Sequence, residues 1–156
     1  VLKPTFSGGG RHTYLLDTTN SSEYETIFSE LISVEDMMLQ EFQENIVTKG
    51  EISMMVMGGK FTHAVIKTAK KGDFRVQDDF GGTVKEHNPT SEEIQFAEHA
   101  FAACPKPPLY GRADIFYDNN NELAIGELEL IEPELWFRFN PKAADDLAEA
   151  ILKHIQ

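Results

Sequence analysis

One cysteine, Cys104, in 156 residues leaves no intramolecular disulfide and no cysteine-built zinc site, and it fits a reducing, cytoplasmic setting. Basic residues are scarce: 14 Lys and Arg stand against 26 Asp and Glu, a formal charge of −12. Such a field repels phosphate backbones and anionic bilayers, so a sequence-independent grip on nucleic acid or membrane is excluded, while local basic sites are not. No apolar run approaches the roughly 20 residues needed to span a bilayer. The five histidines show no metal spacing such as His-x-x-x-His, and no Ser or Cys is placed to suggest a nucleophilic triad. What is present is a hydrophobic fraction of 41% and a charged fraction of 26%, enough for one packed core and unlike a disordered, collagen-like or coiled-coil chain.

Along the chain, strand-like and helix-like patterns alternate. Leu2 and Tyr14-Leu15-Leu16 flank the turn Ser7-Gly8-Gly9-Gly10, which reads as a hairpin with a mobile tip. Apolar residues recur at helical spacing from Ser21 to Ile32, and Met37 to Phe42 reads as a short buried strand. Glu51 to Val56 and Phe61 to Ile66 suit a hairpin turning at Gly58-Gly59. Lys67 to Pro89 has no sustained period and reads as an ordered loop or lid. Thr90 to Glu93 fits a capping box opening a helix to about Cys104, which Pro105, Pro107 and Pro108 stop. Ala113 to Tyr117 and Leu123 to Ile131 flank the turn Asp118-Asn119-Asn120-Asn121. Asn140 then caps a last helix whose buried stripe runs through Ala144, Leu147, Ala148, Ile151, Leu152 and Ile155. The pattern predicts an α+β fold with antiparallel sheets and flanking helices.

Carboxylates supply the strongest chemical signal. In a strand, Glu127 and Glu129 share one face while Leu128 and Leu130 share the other. Two such carboxylates repel unless a cation lies between them, so the choice is a cation site or a solvated outer face. Asp114, one hairpin arm away, adds a third oxygen donor, and three carboxylates on adjacent strands suit Mg²⁺ or Mn²⁺. The Gly8-Gly9-Gly10 loop after Lys3 offers backbone N–H groups and a point charge to a phosphate, though it lacks the P-loop Gly-Lys-Ser/Thr. Arg75, beside Gly72-Asp73, is placed to clamp a carboxylate or phosphate, or simply to be solvated. Arg112 shares the Asp114 face, where it either reaches a phosphate or forms a plain ion pair with a strand carboxylate.

In order and interval these segments resemble the ATP-grasp superfamily, in its branch of glutathione synthetase-like and ribosomal-protein glutamate ligase-like enzymes. The resemblance rests on Leu2-Lys3-Pro4 with the glycine loop, Leu39-Gln40-Glu41-Phe42, Gly50-Glu51-Ile52-Ser53, Gly72-Asp73-Phe74-Arg75-Val76 with Gly81-Gly82, Arg112-Ala113-Asp114 and Glu127-x-Glu129. It implies an ATP-grasp fold and an ATP- and Mg²⁺-dependent ligase that joins a small carboxylate to an amine through an acyl phosphate, with amino acids or peptides as the default substrates. By resemblance, Lys3 reaches the nucleotide phosphates and Gly8, Gly9 and Gly10 close over them. Gln40, Glu41 and Phe42 form the hinge that reads adenine, and Glu51 holds the ribose hydroxyls. Asp114, Glu127 and Glu129 bind the metal; Arg75 and Arg112 hold the acceptor carboxylate or steady charge on the transferring phosphoryl group.

Two departures accompany the resemblance. Glu129 stands where the family has Asn, which keeps an oxygen donor and adds a negative charge. Leu130-Ile131-Glu132-Pro133 replaces a run of small residues, leaving Glu132 either to meet a substrate amino group or to sit in solvent. The start at Val1-Leu2-Lys3-Pro4 reads as a domain cut from something longer, so residues 1–156 are expected to be a partial ATP-grasp domain without the family's N-terminal domain. Two other readings are a nucleotide-binding regulatory or degenerate relative, and an acidic interaction module.

Overall fold

The computed structural model of the chain describes residues 1–6, 8–70 and 82–156. These divide into two compact units, Val1–Gln43 and Glu44–Gln156. Strands and helices mix in both, as the alternating pattern predicts.

In the first unit, strand β1 (Leu2–Pro4) pairs antiparallel with β2 (Met37–Leu39), Leu2 opposite Leu39. A 3₁₀ turn (Ser21–Tyr24) leads into helix α1 (Glu25–Ile32), so the expected helix is split in two. The glycine-rich hairpin reduces to a single bridge, in which Leu2 and Tyr14 exchange backbone hydrogen bonds of 2.9 Å. β2 is not the buried strand its apolar residues predict: Met38 and Leu39 are exposed, Leu39 by 75%.

The second unit is built on a five-stranded antiparallel sheet in the order β5-β4-β3-β6-β7. Its strands are β3 (Glu51–Met57), β4 (Lys60–Thr68), β5 (Thr83–His87), β6 (Tyr110–Tyr117) and β7 (Leu123–Glu129). Helix α2 (Glu44–Lys49) precedes β3, six residues too short to show a period. It ends at Gly50, whose φ of +89° is left-handed and whose Cβ, if present, would lie 2.6 Å from the Lys67 carbonyl oxygen, so only glycine fits. β5 corrects the expected loop: Thr83 to His87 is an edge strand with its outer side in solvent, which removes the apolar signal.

Alternation decides the two faces of this sheet. Ile52, Met54, Val56, Ala64, Ala113 and Ile115 point one way and form the core with Ala97 and Phe101 of helix α3 (Ser91–Ala102). The capping box is present as expected, with Glu93 N donating to Thr90 Oγ1 at 3.2 Å and Thr90 N to Glu93 Oε2 at 2.7 Å. On the opposite face Met55, Met57 and Val65 pack against Leu135 and Trp136, with Leu147 of helix α4 (Ala143–Ile155). Asn140 does not cap α4. Its Nδ2 donates to the Thr62 carbonyl and Lys142 occupies the cap position, while Ile151, Leu152 and Ile155 are exposed rather than buried, because Ala143 and Ala150 form the inner edge. No helix among the described residues is long and apolar enough to cross a membrane.

Candidate metal and nucleotide site

The second face of the large sheet changes character along its length. Beside the apolar patch of Met55 and Val65 lies a charged group built from four strands: Glu51 and Ser53 of β3, Lys67 of β4, Arg112 and Asp114 of β6, and Glu127 and Glu129 of β7. Two β-bulges bring these residues together. Near the β3–β4 turn Met57 faces Lys60 and Val56 faces Phe61, a register that would put Ile66 opposite Glu51. One extra residue, Thr62, shifts the ladder, so Lys67 faces Glu51 and Ile66 goes to the core. The Thr62 hydroxyl donates to the Met55 carbonyl at 3.2 Å, satisfying the backbone where the ladder breaks. In the β6–β7 hairpin Ile115 faces Ile125 and Asp114 faces Glu127, leaving Gly126 as the extra residue. Were Gly126 paired with Asp114 instead of bulged out, Glu127 would face Ala113 and both glutamates would point into the core. A Cβ at Gly126 would lie 3.3 Å from Glu51 Oε1, so the bare backbone also makes room for that carboxylate.

Asp114 is the centre of the group and is fully buried. Arg112 grips it with two parallel bonds of 2.8 Å, Nε to Oδ1 and Nη2 to Oδ2. Lys67 Nζ donates to Asp114 Oδ2 at 2.8 Å and lies 3.1 Å from Glu51 Oε2. Arg112 also pairs with Glu129 and donates to the Glu134 carbonyl at 3.2 Å, tying the loop after β7 to the site. The plain ion pair weighed for Arg112 is thus formed, with both Asp114 and Glu129.

These contacts set the titration behaviour. Burial pushes Asp114 up, but the hydrogen bonds and charges of Arg112 and Lys67 outweigh it and hold the carboxyl below its ordinary range. Glu51 is raised: burial dominates, Asp114 adds repulsion, and Lys67 only partly compensates. Glu129 is raised by burial and by neighbouring carboxylates against the pull of Arg112. Lys67, though buried, is raised by Glu51 and Asp114 and keeps its proton.

Oxygens of Asp114, Glu127 and Glu129 lie within 4.8 Å of one another. The donors are all hard oxygens, and among the described residues four carboxylates face Lys67 and Arg112 as counter-ions, an excess of two formal negative charges, the charge of one divalent cation. The Ser53 hydroxyl, opposite Asp114 in the ladder, is fully buried and has no partner among the described residues, so a polar contact is left open at the heart of the group. The residues present thus fit a divalent metal with oxygen-rich ligands.

The other expected site residues divide by position. Glu51, Arg112, Asp114, Glu127 and Glu129 stand together on the face just described. Lys3 lies in β1, Gly8, Gly9 and Gly10 in the turn after it, and Gln40, Glu41 and Phe42 beyond β2, all in the first unit. Gln40 N donates to the Val1 carbonyl at 2.8 Å, so that hinge amide is engaged. Arg75 lies outside the described residues. Lys67 is the residue sequence reasoning passes over: it stands at the start of the stretch expected to be a loop, and the turn register alone would have sent it to the core face.

A model of the ATP-grasp domain of prokaryotic glutathione synthetase matches residues 1–106. The chain belongs to the ATP-grasp family. The carboxylates at 114, 127 and 129 lie beyond the matched segment, and there the fold extends the likeness. The crystal structure of D-cycloserine synthetase DcsG superposes with a TM-score of 0.81 at 21% identity, covering 99% of this chain and 55% of that one. The D-alanine–D-alanine ligase of Bacillus anthracis, complexed with ATP, superposes at 0.55 and 17% identity, covering 97% of this chain and 50% of that one. Both share the ATP-grasp fold, and the chain spans about half the length of each. No curated protein sequence matches the chain.

Proposed function

We propose that the chain is the nucleotide- and metal-holding part of an ATP- and Mg²⁺-dependent carboxylate–amine ligase that makes an amide bond through an acyl phosphate. The observation that supports this reading is the Asp114, Glu127 and Glu129 set on adjacent strands, in a chain of the ATP-grasp family. A bound divalent cation supplies charge neutralisation for the β- and γ-phosphates. Around it, Glu127 offers its carboxylate, Glu129 shares its own with Arg112, and Asp114 is clamped by Arg112 and Lys67. Glu51 accepts hydrogen bonds from the ribose hydroxyls. Gln40, Glu41 and Phe42 serve adenine, and Lys3 with Gly8, Gly9 and Gly10 serves the phosphates. Arg112, always cationic, steadies charge developing on the transferring phosphoryl group, and Arg75 holds the acceptor carboxylate. The work of the protein is to fix donors and exclude water while an amine displaces phosphate. Substrates are a small carboxylate and an amine of the amino-acid or peptide class, and the chain acts as part of a longer ligase in the cytoplasm.

Calorimetric titration with a non-hydrolysable ATP analogue tests this. Binding is expected to require Mg²⁺ or Mn²⁺, and Glu127→Gln, on an exposed strand position, is expected to leave the circular dichroism spectrum intact and abolish the metal dependence. Failure of the wild-type protein to bind the analogue with metal at millimolar concentration sinks the reading. ADP release that depends on both an acid and an amine, measured on the full-length protein, separates a ligase from a nucleotide-binding relative without activity.

A further inference from the structure

Lys67 stands between two residues to which the proposed function gives different jobs. Its ammonium is within 3.1 Å of Glu51, assigned to the ribose, and 2.8 Å from Asp114, assigned to the metal. Only 8% of the side chain is exposed, so water does not screen either contact. Lys67 is also the only cation paired with Glu51 among the described contacts, whereas Asp114 has Arg112 as well. The bulge at Thr62 is what puts it there, since the unbulged ladder would place Ile66 at this point.

We propose that Lys67 is a positioning residue that couples the ribose-binding carboxylate Glu51 to the metal-binding carboxylate Asp114, so that a divalent cation tightens the grip on the nucleoside without touching it. The inference rests on the roles assigned above to Glu51 and Asp114. In the metal-free site one ammonium is shared between two carboxylates. A dication at Asp114, Glu127 and Glu129 takes over much of the compensation of Asp114, and the ammonium then belongs to Glu51. Glu51 is thereby fixed in the orientation that accepts two hydroxyl hydrogen bonds. Linkage makes the effect reciprocal: the nucleoside tightens the metal by the same factor.

Adenosine is the probe, because it carries both ribose hydroxyls and no phosphate for a metal to bridge. Its affinity for the protein is read by calorimetry with and without Mn²⁺, and Mn²⁺ affinity by electron paramagnetic resonance. Coupling of about fivefold or more is expected, at the lower end of ordinary site-to-site coupling. 2′,3′-Dideoxyadenosine is expected to show none. Lys67→Met should abolish the coupling and Lys67→Arg restore it, while Mn²⁺ still binds. Equal tightening of adenosine and its dideoxy analogue overturns the inference without any variant, so a poorly folding Lys67→Met does not shelter it. Adenosine affinity indifferent to bound Mn²⁺ overturns it too, and so does coupling that survives in Lys67→Met. Absence of both metal and nucleotide binding in the wild type instead overturns the function on which it rests.

Discussion

At the scale of single residues, charge is placed by pairing rather than by total. Glu35 in the first unit illustrates this: Arg11 donates to its two oxygens at 2.8 and 2.7 Å and His12 Nδ1 lies 3.0 Å away. Those contacts, Arg11 first, bring Glu35 from its ordinary 4.5 down to about 2. Because the folded value is the lower one, the pair stabilises the fold above the ordinary pKa, and the contribution fades as pH falls from 4.5 toward 2. Carboxyl chemical shifts should therefore show a Glu35 midpoint near 2, moving to the ordinary range in Arg11→Gln; a midpoint above 4 in the wild type refutes the pairing. Side-chain chemistry of this kind was only partly legible in the sequence. Asp114, Glu127 and Glu129 announce themselves as acids among apolar strand residues, but nothing in Lys67 or Glu35 tells which partner each will meet, because both partners lie far away along the chain.

At the scale of elements, alternation and caps were readable, and irregularities were not. β3, β4, β6 and β7 followed from short strand-like apolar runs around turn residues, and α3 from Thr90 and Glu93, because each signal is local. β5 escaped notice because an edge strand with Lys85 and Glu86 exposed has no apolar period, and α4 misled because apolar Ile151, Leu152 and Ile155 are left in solvent. The Thr62 bulge had no readable signature, whereas Gly126 inside an apolar strand run is the kind of residue that marks one, and both decide which side chains meet. Inserting one residue between Ala64 and Val65 is a direct test. Ile66 would then face Glu51, Lys67 would turn to the core face, and metal-dependent nucleotide binding should be lost, with lower stability in urea. Deleting Thr62, by contrast, removes the bulge yet keeps His63 opposite Met55 and Lys67 opposite Glu51, so binding should survive. Retained metal-dependent binding in the insertion variant would mean that the strand register does not position the site.

For the molecule as a whole, the net charge of −12 includes, among the described residues, two formal negative charges on the strand face beyond those that Lys67 and Arg112 offset. That excess is predicted to be felt as instability that a fitting cation relieves. Mn²⁺ at one hundred times its Kd should stabilise the fold by about 2.7 kcal/mol and raise the melting midpoint, whereas Glu127→Gln should respond far less. Equal shifts in both proteins would assign the effect to surface acids.

Thr62 and Gly126 also bear on descent. Which side of a sheet a residue occupies is a question of parity, and each of these two single-residue additions changes odd to even for everything beyond it in the ladder. Single-residue gains between Thr62 and Lys67, or between Gly126 and Glu129, should therefore be rare among functional relatives, whereas loss of the added residue itself leaves the same partners facing each other and should be tolerated.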